Sequence, residues 1–463
     1  MSSSQKVPIV AIVGRANVGK SSLFNAILDR REAIVAKEAG TTRDNVIAKA
    51  SWNGQDFWMV DTAGVKDAED EFEFTIQEQI LQAAESADVI WVVVEANILI
   101  TDEDRRVAKM ALKSKKPVFL VVNKIDRAKG ADLDAFQRLG IKQIIHTSST
   151  QHRGISELLD NLVRNIPKAT LEVDENRLRV ALLGRPNVGK SSLFNSLAQK
   201  QQAIVASRAG TTRDINRATV RYEGREIEIM DTAGIRRPGK IGVGIEHFSV
   251  IRSLSAIEQA DVCLLLMDVN ELNVGLDQKI AGMIKEAGKG LVLVVSKWDV
   301  AEGKDAFTRD AIAPQLAATY DFVPWAPLIF TSSETGQNVT KIFELVTEIA
   351  MRRTKRIATA DLNRWLRGVV DRHPPAGLKN RAPKLNYMVQ ETDNPIPAFK
   401  IFGAHTKFLH WSYRRYMEKE MRQRWHYEGT PIQLWFIEKH ETHKHGNSPT
   451  KEPRKNNGNR DRS

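Results

Sequence analysis

Two nearly identical segments decide the fold: GRANVGKS at Gly14–Ser21 and GRPNVGKS at Gly184–Ser191, 170 residues apart. Each follows a short apolar run, precedes a helix-forming stretch and fits the pattern G-x-x-x-x-G-K-[ST]. Glycines in this pattern let backbone N–H groups turn inward and surround phosphate oxygens at a helix N-terminus. The two segments, called P-loops below, therefore predict two phosphate-binding sites in one chain.

Every residue of a P-loop is a candidate ligand, because the loop backbone itself encloses the phosphates. The lysines Lys20 and Lys190 are expected to reach the β- and γ-phosphates, and the hydroxyls of Ser21 and Ser191 to hold Mg²⁺. The candidate phosphate-binding residues are Gly14, Arg15, Ala16, Asn17, Val18, Gly19, Lys20 and Ser21, and Gly184, Arg185, Pro186, Asn187, Val188, Gly189, Lys190 and Ser191.

The repetition extends well beyond the P-loops. A unit this long indicates a duplicated domain and not a solenoid, whose repeats run to about 20–50 residues. Short β-rich runs alternate with helical stretches in each copy, which predicts an α/β fold with a mostly parallel sheet flanked by helices. The matching pairs are AGTTRD at Ala39 and Ala209, DTAG at Asp61 and Asp231, and NKID at Asn123 with SKWD at Ser296.

Pattern and composition divide the chain into five parts: 7–167 and 178–352 as the two copies, 168–177 as a polar linker, 353–438 as a small α/β domain, and 439–463 as a disordered basic tail. The third domain is predicted to contain two helices, three strands and four core tryptophans. These are Thr359–Arg372 and His410–Trp425, then Lys384–Glu391, Ala398–Phe402 and Ile432–Ile437, and Trp365, Trp411, Trp425 and Trp435.

Charge and cysteine content narrow the class of protein. Of the net charge of +11 on 463 residues, residues 353–463 carry 23 Lys and Arg against 11 Asp and Glu, whereas the rest is nearly neutral. This concentration favours a polyanionic partner, nucleic acid before a membrane surface. The single cysteine, Cys263, excludes a disulfide framework, and no apolar run is long enough to span a bilayer. We expect a soluble, cytoplasmic protein.

The DTAG segments start 47 residues after the first P-loop glycine in both copies. An aspartate there can hold Mg²⁺, and the glycine N–H can sense the γ-phosphate. A lone DxxG more often marks a turn after a strand, so the repeated spacing carries the prediction. Thr42 and Thr212 in GTTRD are candidates for a loop that closes on Mg²⁺. The DTAG candidates are Asp61, Thr62, Ala63, Gly64 and Val65, and Asp231, Thr232, Ala233, Gly234 and Ile235.

The third motif, NKID at Asn123 and SKWD at Ser296, is expected to determine which nucleotide base is bound. Asp126 can accept hydrogen bonds from N1–H and the 2-amino group of guanine, whereas adenine offers neither donor and would leave the carboxylate unpaired. Asn123 can bind the base or brace the P-loop, and Lys124 can cover the ring. Backbone N–H groups of Ser148–Ser149 and Ser332–Ser333 are expected to reach the base. At the position of Asn123 the second copy has Ser296, whose side chain is shorter. The candidate base-binding residues are Asn123, Lys124, Ile125 and Asp126, and Ser296, Lys297, Trp298 and Asp299.

P-loop, GTTRD, DTAG and NKxD in this order resemble the translation-factor class of GTPases. Two such domains followed by a small basic domain resemble the Der (EngA) family of bacterial ribosome-assembly GTPases, over about residues 7–438. The resemblance implies hydrolysis of GTP to GDP and phosphate, and a KH-like third domain, although no GxxG loop is present. It implies catalytic roles for Lys20, Thr42, Gly64, Lys190, Thr212 and Gly234, Mg²⁺ at Ser21, Thr42, Asp61, Ser191, Thr212 and Asp231, and K⁺ at Asn17 and Asn187.

Three departures from the family pattern matter for the sites. Ala16 stands where the second P-loop has Pro186, Ser296 stands where the family has Asn, and Ser148-Ser149 and Ser332-Ser333 stand where the family has Ser-Ala. Val65 and Ile235 follow DTAG, where Ras-like proteins carry a water-orienting Gln, which predicts slow intrinsic hydrolysis. The basic residues after the second DTAG are hypothesised to face RNA or the third domain in one nucleotide state; they are Arg236, Arg237 and Lys240.

The resemblance implies a partner as well as a reaction. We expect a monomeric checkpoint or assembly factor for the large ribosomal subunit and its rRNA, with GTP and GDP as ligands and no membrane association. Two other classes stay open: a metabolic phosphotransferase, and an RNA or membrane scaffold with a structural nucleotide. A tRNA-modifying GTPase is disfavoured by the duplication and by the lack of a C-terminal cysteine.

Overall fold

The structure is a computed structural model of the whole chain. It describes the following residues: 7–29, 47–61, 87–128, 133–166, 177–200, 216–231, 248–272, 274–301, 306–376, 381–392 and 394–438. The chain forms two compact units, Met1–Thr354 with Tyr427–Pro431, and Lys355–His426 with Ile432–Ser463.

The first repeat forms a six-stranded sheet in the order β2-β3-β1-β4-β5-β6, in which only the β2–β3 pair is antiparallel. Its central strands are nearly continuous apolar runs, as expected for a parallel sheet covered on both faces: Ile9–Val13, Val89–Glu95 and Val118–Asn123. The strands are β1 (Ile9–Val13), β2 (Ile47–Trp52), β3 (Gln55–Asp61), β4 (Val89–Glu95), β5 (Val118–Asn123) and β6 (Gln143–His146), and the helices are α1 (Lys20–Leu28), α2 (Asp102–Lys113) and α3 (Ile155–Asn165).

The second repeat has the same architecture, with the sheet order β12-β11-β10-β7-β9-β8 and one antiparallel pair, β8–β9. The duplication read from the sequence is therefore a duplication of the fold. The strands are β7 (Arg177–Leu183), β8 (Asn216–Tyr222), β9 (Arg225–Asp231), β10 (Val262–Asp268), β11 (Gly290–Ser296) and β12 (Leu328–Phe330), and the helices are α4 (Lys190–Lys200), α5 (Phe248–Gln259), α6 (Gly275–Glu286), α7 (Ala306–Thr319) and α8 (Lys341–Thr354).

The other unit contains a three-stranded sheet, β13-β14-β15, whose first pair is antiparallel and whose second is parallel. All five elements predicted from the sequence are present, with ends that differ by at most two residues. They are α9 (Thr359–Arg372), β13 (Lys384–Gln390), β14 (Ala398–Ala404), α10 (Trp411–Trp425) and β15 (Gln433–Glu438). Trp425 is buried, but Trp411 is 59% exposed, so the prediction of a core role for Trp411 is wrong.

Apolar packing joins the two repeats. One buried cluster contains residues of both repeats, among them Trp58 on strand β3 of the first and Leu254 on helix α5 of the second. The indole N–H of Trp58 donates to Oε1 of Glu258 on α5 at 2.5 Å, and both side chains are buried. Cys263 lies in β10, where burial raises the pKa of its thiol to about 12, as expected for a core cysteine. Among the described residues, no helix is both long and apolar enough to cross a membrane.

Candidate nucleotide-binding sites

The sheet topology brings the motifs of each repeat to one edge. Asp61 is the last residue of β3, and Asn123 is the last residue of β5. The register pairs Ile12 with Asp61 and Glu95 with Asn123, so the carboxyl ends of β1, β3, β4 and β5 lie side by side. Ligands of open parallel sheets bind in the crevice beyond these ends. The three motifs therefore converge on one site, although the sequence separates them widely.

The first P-loop needs glycine at its start. Gly14 has φ 152°, and a Cβ there would lie 2.4 Å from the carbonyl oxygen of Val93. Lys20 at the start of α1 is buried, and its Nζ donates to the carbonyl oxygens of Gly14 at 2.8 Å and Arg15 at 2.7 Å. Burial lowers the pKa of Lys20 below its ordinary value. The amine is thus held against the loop backbone that is expected to enclose the phosphates.

The second P-loop repeats this geometry. Lys190 is buried, and its Nζ donates to the carbonyl oxygens of Gly184 at 2.8 Å and Arg185 at 2.5 Å. Asn17 and Asn187 both adopt the left-handed region, with φ 65° and 63°. The change from Pro186 to Ala16 therefore leaves this part of the loop backbone unchanged.

The predicted Mg²⁺ ligands from two motifs are in contact in each repeat. The hydroxyl of Ser21 donates to Oδ2 of Asp61 at 2.5 Å, and that of Ser191 donates to Oδ2 of Asp231 at 3.0 Å. Hydroxyl and carboxylate oxygens are the ligands that Mg²⁺ prefers, so these pairs fit the ion. When bound, Mg²⁺ would supply positive charge to the β- and γ-phosphate oxygens. Both aspartates are buried, which fixes their position at the strand end.

In the first repeat, Asn123 links the base motif to the P-loop. Its Nδ2 donates to the carbonyl oxygen of Val18 at 3.2 Å, and its Oδ1 accepts from Thr147 and from the N–H and hydroxyl of Ser149. Of the two roles left open for this residue, the structure shows the brace. The N–H of Ser148 donates to Arg153, so the N–H groups of Ser148 and Ser149, predicted to reach the base, already have protein acceptors.

Asp126, the predicted guanine ligand, is positioned by a neighbouring loop. The hydroxyl of Ser148 donates to its Oδ1 at 2.5 Å, and this hydrogen bond lowers the pKa of Asp126 below its ordinary value. An ionised carboxylate is the form that accepts two hydrogen bonds from guanine. In the second repeat, Asp299 has no hydrogen-bond partner among the described residues. The two base sites are thus equivalent in sequence order but not in their local contacts.

Two acidic residues at the sites were not found from the sequence. The Nζ of Lys124 lies 3.0 Å from Oε2 of Glu95, and that of Lys297 lies 2.7 Å from Oδ2 of Asp268. Lys124 also donates to the backbone oxygen of Asn17, which ties the base motif to the P-loop. A signal existed, because Glu95 and Asp268 end equivalent strands at the same 173-residue offset as NKID and SKWD.

Several predicted residues lie outside the described part of the chain, so their roles stay predictions. They are the loop threonines Thr42 and Thr212, the DTAG residues Thr62, Ala63, Gly64, Val65, Thr232, Ala233, Gly234 and Ile235, the basic residues Arg236, Arg237 and Lys240, the linker apart from Arg177, and the tail 439–463.

The duplicated α/β fold, with a P-loop and an NKxD-type motif on each sheet edge, defines the class of tandem P-loop GTPases. The family model described as 50S ribosome-binding GTPase matches residues 9–124 and 179–297, and the model described as KH-domain-like of EngA bacterial GTPase enzymes matches residues 356–436. These matches confirm the predicted fold class, including the KH-like third domain.

The chain belongs to the GTPase Der family. It is 39% identical to GTPase Der of Gemmatimonas aurantiaca over 92% of this chain and 98% of that protein, and 43% identical to GTPase Der of Chloroflexus aggregans over 93% and 97%. Family membership confirms the predicted GTP hydrolase, which binds guanine nucleotides, typically with Mg²⁺. Among solved structures, Era of Aquifex aeolicus is 22% identical with a TM-score of 0.29, covering 57% of this chain and 93% of that chain.

Proposed function

We propose that this GTPase is an assembly factor for the large ribosomal subunit, and that the identity of the bound nucleotide controls its binding to the subunit. The observation that carries the proposal is the segregation of charge. Residues 353–463 hold a net charge of +12, whereas residues 1–352, which contain both nucleotide sites, are nearly neutral. A basic region apart from the catalytic domains fits rRNA as the partner.

Co-sedimentation with ribosomal subunits at low salt tests the proposal, with GDP, GTP and a non-hydrolysable GTP analogue compared side by side. We expect selective binding to the large subunit that differs between nucleotides. Lys20→Ala and Lys190→Ala should remove the nucleotide dependence of their sites, because each removes the cation expected at the phosphates. Salt-sensitive binding to any RNA regardless of nucleotide would contradict the assembly role and leave the GTPase activity intact.

The reaction proposed at each site uses the residues of the P-loop edge. Lys20 and Lys190 neutralise charge on the β- and γ-phosphates, while Asp126 and Asp299 select guanine. Thr42 and Thr212 close on Mg²⁺, and Gly64 and Gly234 sense the γ-phosphate. The protein acts as a cytoplasmic monomer. The alternative of a metabolic phosphotransferase predicts transfer of the γ-phosphate to a small molecule instead of to water, which product analysis detects.

Asn17 and Asn187 are proposed K⁺ contacts. Both side chains are exposed at equivalent positions of the two P-loops, and neither amide forms a hydrogen bond with another described residue. This observation favours a ligand role over that of a residue that only braces the loop. A bound K⁺ would add positive charge beside the phosphates. Hydrolysis should slow when K⁺ is replaced by Na⁺, and equal rates in the two salts would exclude the role.

A further inference from the structure

The two nucleotide sites differ in how the P-loop is connected to the loop expected to lie against the base. This segment, called the base loop below, is Thr147–Ser149 after β6 in the first domain and Thr331–Ser333 after β12 in the second. In the first domain, the single side chain of Asn123 spans both. It donates to Val18 of the P-loop at 3.2 Å and accepts the N–H of Ser149 at 3.2 Å and the hydroxyl of Ser149 at 2.9 Å. The phosphate-binding and base-binding parts of the first site are therefore held together before a nucleotide arrives.

Ser296 keeps only half of this connection. Its hydroxyl lies 2.6 Å from the carbonyl oxygen of Val188 in the P-loop and 2.9 Å from that of Met267 in β10. A hydroxyl has one hydrogen to donate, and both neighbours are acceptors. Within the described part of the chain, Ser296 forms no hydrogen bond with the segment Thr331–Ser333, which corresponds to Thr147–Ser149. The P-loop brace is retained, and the link to the base loop is lost.

Packing shows the same difference. A Cβ built on Gly19 would lie 2.4 Å from Nδ2 of Asn123, so the amide lies directly against the first P-loop. The corresponding Cβ on Gly189 would have no atom closer than the Cβ and Oγ of Ser296, both at 3.9 Å. The second site therefore has room that an asparagine amide would fill.

The carboxylates proposed to bind the base, Asp126 and Asp299, also have more protein contacts in the first domain than in the second. Ser148 donates to Asp126 in the first domain, and it also accepts the N–H of Gln151. Ser332 accepts the corresponding N–H, from Thr335, but gives no hydrogen bond to Asp299. Asp299 thus lacks the hydroxyl contact that holds Asp126, and Ser296 lacks the contacts with the following loop that hold Asn123. Ordering such groups costs free energy at the moment of binding.

We propose that Ser296 is a positioning residue that makes the second domain the fast-exchanging nucleotide site of this GTPase. Guanine still pairs with Asp299, and the phosphates still meet an intact P-loop, but among the described residues no single side chain joins the P-loop to the base loop Thr331–Ser333. The backbone link is the same in both domains: the N–H of Trp298 donates to Thr331 at 3.0 Å, and that of Ile125 donates to Thr147 at 3.2 Å. The nucleotide can therefore release its base without first breaking a preformed network. Differences between related sites appear mainly in dissociation rates. The inference rests on the proposed binding of GTP and GDP by both domains.

The test is a reciprocal exchange in the full-length chain. Ser296→Asn is measured in a Lys20→Ala background and Asn123→Ser in a Lys190→Ala background, so that each reports one site. We expect Ser296→Asn to slow release of fluorescent GDP about tenfold, and Asn123→Ser to accelerate release from the first site about tenfold, which corresponds to about 1.4 kcal/mol in each case. The association rate of GDP, measured on the same variants, should change less than the release rate, because differences between related sites appear mainly in dissociation.

Ser296→Thr is the matched control, because it keeps a hydroxyl donor but cannot span to Ser333; its GDP release should equal that of the parent. Unchanged or faster release from Ser296→Asn would overturn the inference, and so would an equal slowing of release in the Ser296→Thr variant. If the second domain of the Lys20→Ala parent binds no GDP, the proposed GTPase role of that domain fails together with the inference. Asn123→Ser provides an independent result should Ser296→Asn not fold.

Discussion

Ser148 and Ser332 occupy equivalent positions in the two domains, yet only Ser148 donates to the guanine-selecting carboxylate. The hydrogen bond lowers the pKa of Asp126, so this carboxylate stays ionised to lower pH than an ordinary aspartate. Since the ionised form is the one proposed to accept the guanine N–H groups, we expect affinity at the first site to be present above this pKa and to be lost as the pH falls through it. The Ser148 hydroxyl is therefore expected to make the largest contribution to the acid limit of binding.

Ser148→Ala should move this acid limit to higher pH, because the pKa of Asp126 rises toward its ordinary value when the donor is removed. The measurement is GDP affinity of the first site, in the Lys190→Ala background, across the acidic range. Ser332→Ala, measured in the Lys20→Ala background, is the control: it also loses a hydrogen bond from a following N–H, but Asp299 receives none from Ser332. A pH profile unmoved by Ser148→Ala would disprove the role assigned to this hydroxyl.

Single residues also show where sequence patterns mislead. The spacing of tryptophans in the third domain predicted four core residues, but Trp411 begins α10 and is 59% exposed, with the Arg415 guanidinium 4.9 Å from its ring centre. No local pattern reports this, because burial depends on the elements that pack around the helix.

At the scale of elements, each P-loop is tied to the helix that follows the fourth strand of its sheet. Arg185 donates through Nε to Oδ2 of Asp277 at 3.0 Å, and Asp277 is fully buried on α6. In the first domain, Arg15 and Asp104 form the equivalent pair at 3.2 Å, with Arg15 more exposed. The backbone oxygens of both arginines accept from the P-loop lysines, so these ion pairs fix the loop that holds the amine.

Asp277→Asn should loosen α6 and the second P-loop, because it removes the buried one of the two carboxylates that pair with the Arg185 guanidinium; the other, Glu271, is exposed. The expected loss of local stability is about 2 kcal/mol, since a hydrogen bond to a charged group contributes about 1.5–3 kcal/mol. Amide hydrogen exchange in α6 measures it. Asp104→Asn in the first domain should have a smaller effect, because Arg15 is more exposed and water can replace the lost charge. Equal effects in both domains would contradict this account.

At the scale of the whole molecule, the described contact between the GTPase domains runs through α5. This helix belongs to the second domain, and its Glu258 accepts the indole N–H of Trp58 from the first. Lys289 also donates to the backbone oxygen of Glu258. The buried Glu258 carboxylate needs a donor, which the Trp58 indole supplies, so the two domains should not move apart without a cost in free energy.

Trp58→Phe should therefore increase hydrogen exchange both in β3 of the first domain and in α5 of the second, with a cost of about 1–3 kcal/mol. Trp91→Phe is the matched control. Trp91 is equally buried in β4, but its indole N–H has no acceptor among the described residues, so the substitution should leave α5 unchanged. If Trp58→Phe alters only β3, the hydrogen bond does not couple the domains.

The sequence by itself determined the duplication, the α/β class, the two P-loops and the five elements of the third domain, and it predicted the aspartates proposed to select guanine. These features can be predicted from local patterns. Apolar runs predict buried strands, the spacing of glycines predicts phosphate-binding loops, and motifs that recur at a constant offset indicate a duplicated domain. Family resemblance then supplied the reaction, which membership of the GTPase Der family confirms.

Only the tertiary structure decided the brace of Asn123, the shortened connection at Ser296, the ion pairs of Lys124 and Lys297, and the buried Trp58–Glu258 contact. Each joins segments that are far apart in the chain, and such contacts depend on strand order and register. The same motif letters can thus lie in different environments. That is the physical reason why two sites so alike in sequence are expected to differ in how long they hold a nucleotide.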